Sequence, residues 1–154
     1  MKVVVYVGIV VLALVVGVAV GFYLGVRSAE SAATVAESTE LAHYSALLEA
    51  QRSAGSEAAY EEALRGYLAF LEGRKGKPSV IFSAKVHAAD TALTYARLSA
   101  LALKRGATDE ASSYLARASA LCPELGWREC SAESIAGFVQ RLDEHRLRGS
   151  AKAE

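Results

Sequence analysis

The chain has 154 residues, 53% of them hydrophobic, a mean hydropathy of +0.22 and no net charge. Its thirty alanines stand against two prolines and four phenylalanines. That composition favours helices and excludes an all-β fold, a collagen, a wholly disordered chain and a disulfide-dense mini-protein. Seventeen cations balance seventeen anions, so no global field steers the chain toward nucleic acid, which is not an expected partner.

The first expected element is a transmembrane helix. Val3 to Val26 carries no charge, and at 1.5 Å per residue it would rise about 36 Å, enough to span a hydrocarbon core of about 30 Å. Lys2 and Arg27 bound the run, and Tyr6, Phe22 and Tyr23 stand where interfacial aromatics lie. A cleaved signal peptide is the competitor. It needs a shorter apolar region, although Ser28 to Ala33 offers small residues. After Arg27 the next cation is Arg52. The basic bias therefore puts the N-terminus in the cytoplasm and the rest in the periplasm or outside, on a single-pass protein of the inner membrane. Ala13, Gly17, Gly21 and Gly25 recur every fourth residue. This stripe is the expected surface for membrane packing, with a second copy or another membrane protein as partner beside the lipid bilayer itself.

The expected division is an anchor over 1–27, a helical domain over 28–147 and a flexible tail over 148–154. The fold class is all-α: the transmembrane helix, then five helices forming a tetratricopeptide-like or irregular bundle. Breakers at Gly55-Ser56, Gly73 to Ser79, Gly106 to Thr108 and Cys122 to Ser131 separate helices predicted over about 33–53, 57–72, 80–105, 109–121 and 132–147. Ser56, Thr108 and Ser131 are the expected N-caps. The third helix carries the stripe Phe82, Val86, Ala89, Leu93, Ala96, Ala100 and Leu103, with a candidate kink or division at Asp90-Thr91. Residues 28–72 have a net charge of −6 and residues 73–154 of +4, a pattern that suits solvated faces or complementarity with a partner.

The third and fourth helices carry a family pattern. Tyr95-x2-Leu98-Ser99-x2-Ala102, Gly106, Ala111-x3-Leu115-x2-Ala118 and Pro123 resemble the tetratricopeptide repeat over residues about 92–123. Tyr95 stands at the family's tryptophan, Ser99 at its glycine, Ala102 at its tyrosine and Leu115 at its phenylalanine. Tyr44, Leu47, Gly55 and Leu64 echo the pattern upstream. The resemblance implies a protein-binding scaffold with a groove between helix pairs. Tyr44, Tyr60, Tyr67 and Tyr95 are the groove candidates. The sole tryptophan, Trp127, is either a packed residue or an anchor for a partner.

Cys122 and Cys130 flank a loop between two predicted helices and are expected to form a disulfide, which requires an oxidising compartment. Closing that ring would contribute about 2.6 kcal/mol on chain entropy alone. No metal is expected, because the two thiols lack a second ligand pair. His87 and Asp90 share a helix face but read as a surface pair. Gly73 to Ser79 lacks the glycine that a phosphate loop needs at Leu71, and Glu61-Glu62 reads as a solvated face. No cofactor or catalytic residue is expected. The functional reading is a non-enzymatic, membrane-anchored scaffold for protein partners of unknown identity. The alternative is a small structural subunit of a larger membrane complex, packed through the glycine stripe.

Overall fold

The computed structural model describes residues 2–77, 79 and 81–150, with side chains described over 15–28, 31–77, 79 and 81–145. Among the described residues every regular element is a helix: α1 (Lys2–Ser53), α2 (Glu57–Arg74), α3 (Ala84–Lys104), α4 (Thr108–Ser119), α5 (Cys122–Leu125) and α6 (Ala132–Ser150). The chain divides into two compact units, 1–40 and 41–154.

In the first unit the structure corrects the expected fold class. Among the described residues no helix is long and apolar enough to cross a membrane, so the N-terminal transmembrane helix is not upheld. Beyond Arg27 the helix continues without a break through Ser28, Glu37 and Glu40 into polar sequence. The predicted separate helix over 33–53 is therefore the C-terminal part of α1. Hydroxyls in that stretch are satisfied by bonding back to the preceding turn: Ser31 Oγ donates to the Arg27 carbonyl at 3.0 Å and Thr39 Oγ1 to that of Val35 at 2.8 Å.

The second unit is built around α3, which packs against α2, α4, α5 and α6. Ser56 caps α2 as expected, accepting from the Ala59 amide at 3.4 Å. After α2 the Ser79 hydroxyl accepts from the amides of Ile81 and Phe82 at 3.1 and 2.7 Å. That turn delays α3 until Ser83 caps it through the Val86 amide at 3.2 Å. The helix then runs unbroken past Asp90-Thr91. Thr91 and Thr94 hold their hydroxyls on the carbonyls four residues back, and the helix is not divided there.

Gly106 ends α3 at φ +81°. Its amide donates to the Leu103 carbonyl at 3.0 Å, and the Ala107 amide donates to that of Ala102 at 2.9 Å. This paired closure needs a left-handed residue, hence glycine. Thr108 is the first residue of α4 rather than its cap; Ala107 holds the cap position with no side-chain bond. Asp109 and Glu110 occupy the first turn, as the helix dipole favours.

Cys122 and Cys130 are bonded across a Cα separation of 5.6 Å. Between them lies α5, a single turn that the breakers at Pro123 and Gly126 had marked only as loop. Ser131 caps α6: its hydroxyl accepts from the Ser134 amide at 3.2 Å, and the Ser134 hydroxyl accepts from the Ser131 amide at 2.8 Å. The helix runs to Ser150; residues 151–154, the end of the predicted tail, lie outside the described residues.

The principal core joins Leu64, Ala92, Leu98, Ala102, Ala111, Ala118, Leu125 and Ile135. Four of its alanines are fully buried (Ala88, Ala92, Ala102 and Ala118, each 0% exposed). Small side chains there let the helix axes approach closely. Ser99 fills a position between α3 and α4 and satisfies its hydroxyl by donating to the Ala111 carbonyl at 2.9 Å. A second cluster of Tyr67, Phe70, Leu71 and Phe82, joined by Leu41 and Tyr44, packs aromatic rings at 5–6 Å between centroids.

Candidate functional site

The stripe expected to be buried on α3 is only partly so. Phe82 and Ala96 are buried, but Val86, Ala100 and Leu103 are exposed. The buried face runs instead through Ala88, Ala92, Tyr95, Leu98 and Ala102. In an alanine-rich helix, apolar side chains stand on more than one face, and the neighbouring helices decide which of them is buried.

The displaced stripe has a consequence. Ala96, Ala100, Leu101 and Leu103 line a cavity of about 640 Å³, with Leu115 from α4 and Val139 from α6 completing its apolar floor. The last turn of α1 and the first turns of α2 close one side, with Arg52, Gly55 and Tyr60. The size lies within the range of about 300–1,000 Å³ typical of binding clefts.

One wall is ionic. The Asp143 Oδ1 of α6 accepts from Arg52 Nη2 at 3.0 Å and from Arg97 Nη2 at 3.1 Å. Arg97 Nε adds a long bond to Oδ2 at 3.4 Å. Two guanidinium groups thus share one carboxylate. Arg52 also donates from Nη2 to the Tyr60 hydroxyl at 2.8 Å and lies over that ring. Its Nη1 is buried and has no acceptor. Burial works against the charge on Arg52, but Tyr60 and Asp143 outweigh it and raise its pKa. At the rim, Lys104 and Glu57 pair at 2.7 Å.

The candidates from the sequence are scattered. Tyr60 lines the cavity. Tyr67 and Tyr95 are buried, the first donating to Asp90 at 3.0 Å and the second to Glu72 at 3.0 Å. Tyr44 is half-buried, with its ring on Tyr67 and Phe70. Trp127 is half-buried and packs on Phe138 at 5.4 Å. Gly17, Gly21 and Gly25 lie on α1, where an added Cβ meets nothing within 4 Å. The side chain of Ala13, their expected companion, lies outside the described residues.

His87 and Asp90 do not form a dyad. The His87 ring nitrogen Nε2 lies 2.7 Å from the Leu71 carbonyl, and Asp90 accepts from Tyr67. Burial raises the Asp90 pKa against the opposing effects of the Tyr67 hydrogen bond, Arg97 and His87. Burial likewise raises that of Tyr67, with Asp90 adding to the rise. Glu61 belongs to an ion-pair network with Arg65, Arg105 and Glu110 that ties α2 to the α3–α4 turn. In that network Arg105 holds the Glu110 carboxyl below its ordinary value. Among the described residues no group of three or more His, Cys, Asp or Glu is placed to hold a metal ion.

Arg52, Arg97 and Asp143 were not among the candidates from the sequence. The two arginines come from different helices and meet a carboxylate 46 residues beyond Arg97, so no local motif marks them. No family model, no curated protein and no solved structure matches the chain.

Proposed function

We propose that the protein is a non-enzymatic helical interaction module of an oxidising compartment. Its α3–α4 pair is tetratricopeptide-like, and its docking site is the cavity between the end of α1, α2, α3 and α6. The observation that carries the reading is the open apolar floor of that cavity, where Leu103 stands 54% exposed in the middle of a well-packed unit. A contiguous apolar concavity rimmed by polar groups is the form that binding surfaces take. The Cys122–Cys130 bond supports the compartment, since reducing compartments keep thiols free.

The test is a photo-cross-linking amino acid placed at Leu103, with exposed Ser112 on α4 as the control position. The reading expects one discrete protein adduct from position 103 and none of that mass from position 112. Equal, diffuse labelling from both positions would contradict it.

A further inference from the structure

We infer that the cavity receives one amphipathic helix of a partner protein, laid with an uncharged apolar face against α3 and α6. The inference rests on the docking reading above and adds the form and charge of the partner segment.

Six charged side chains line the cavity and cancel: Arg52, Arg97 and Lys104 against Glu57, Asp143 and Glu144. Within that set the two arginines pair with Asp143, and Lys104 pairs with Glu57. No net charge is left to select an ionic occupant, and a charge brought in would be buried without a countercharge of its own. The floor of Ala96, Ala100, Leu101, Leu103 and Val139 is apolar, so the matching face is apolar and uncharged. Ala100 and Leu103 are exposed on that floor, whereas a small-molecule site encloses most of its ligand. An occupant of so shallow a site keeps its outer side in water and is therefore amphipathic. Backbone chemistry selects a helix. The floor is built from α3, α4 and α6, whose backbone groups are bonded within each helix. Among the described residues it offers no strand edge. An extended segment laid there would bury amides and carbonyls without partners, whereas a helix pairs them within itself. Side-chain size agrees. Ala96 and Ala100, one turn apart on α3, and Ala136 and Gly137 on α6 line the cavity. Small side chains on two helices let a third helix axis come close. On its other face α3 receives α4 in that manner, with Ala102, Ala111 and Ala118 buried in one core.

The segment joined to position 103 is mapped by mass spectrometry and synthesised in four forms. One is natural, one carries proline at its middle residue, and two carry glutamate or lysine in place of one residue of its apolar face. The affinity of each peptide is measured by titration against the full chain. The natural peptide is expected to gain helical circular dichroism on binding. Proline is expected to weaken binding by about tenfold or more, as a helix breaker does. Glutamate and lysine are each expected to weaken it by about tenfold or more, since neither finds a free countercharge. Raising salt from about 0.05 M to about 0.5 M is expected to change the natural affinity by less than about twofold. Ala100→Leu, at an exposed position, is expected to leave the thermal midpoint in place and to weaken binding by about tenfold, because it blocks the close approach. Binding that tolerates glutamate or lysine would overturn the uncharged face. Binding indifferent to proline or to Ala100→Leu, or a mapped segment without a helical apolar period, would overturn the helix. Each of these leaves the docking reading intact. An adduct between two copies of this chain would overturn the separate partner. No adduct at all would overturn the docking reading and the inference with it.

Discussion

On α3, Leu98, Ser99 and Ala102 are sealed, the serine bonded across to α4 and the alanine at full burial. On the same helix Ala100 and Leu103 stand exposed over the cavity floor. The residue types are alike on both sides, so side-chain hydrophobicity does not explain the contrast. What differs is whether a neighbouring helix arrives. Gly106 turns the chain back on α3, and α4 follows closely enough for alanines to meet. On the other side α1, α2 and α6 stop short, and an arginine pair with one aspartate holds them around the gap. A small-residue stripe closes where the next element is a hairpin partner and opens where it is not.

The contrast is broken most directly by truncating the two leucines in turn. Leu98→Ala is expected to cost about 3 kcal/mol, the usual range for a buried leucine that leaves a cavity. Leu103→Ala is expected to cost less than about 0.5 kcal/mol, as for exposed positions. Urea unfolding of both variants reads the difference, and equal losses would mean that the cavity floor is core. Next in size is the staple. Replacing Cys122 and Cys130 by serine is expected to lower stability by about 2.6 kcal/mol on the chain-entropy estimate. Reduction of the unmodified chain should give a matching loss.

Ser99→Ala sharpens the sealed side. It leaves the Ala111 carbonyl without this donor and is expected to cost about 1 kcal/mol. The smallest effect concerns Asp90, and its sign is the result. Burial raises its pKa in the fold. Its contribution to stability is therefore full below the ordinary aspartate value and lost as pH rises through the raised one. Asp90→Asn should thus gain on the natural chain between about pH 3 and about pH 7, read as the difference in thermal midpoints. A difference that moves the other way would mean that Tyr67, Arg97 and His87 outweigh burial.

Much of the sealed side was legible in the sequence, because its signals are local. Gly106 at a turn, alanines at i and i+7 on α4, and two cysteines around a proline each act within a few residues. The open side was not legible. Its apolar residues carry the same helical period as core residues, and its ionic wall is assembled from residues far apart in the chain. The N-terminal run shows a third case. The end of the apolar composition at Arg27 looked like a structural boundary, yet backbone hydrogen bonding carries α1 on to Ser53, since helix propensity does not depend on polarity. The Thr108 cap failed for a smaller reason: the Gly106 closure already fixes Ala107, and the helix begins one residue earlier than the motif suggests.

The account depends on the cavity floor being a contact surface, and Leu103 tests that most directly. Affinity for the partner segment mapped at position 103 would be compared between the natural chain and Leu103→Asp, with thermal midpoints taken in parallel. The account predicts that binding weakens by about tenfold or more, as burying an unpaired charge in an interface requires, while the midpoint moves by no more than about 2 °C. Unchanged binding at an unchanged midpoint would contradict it.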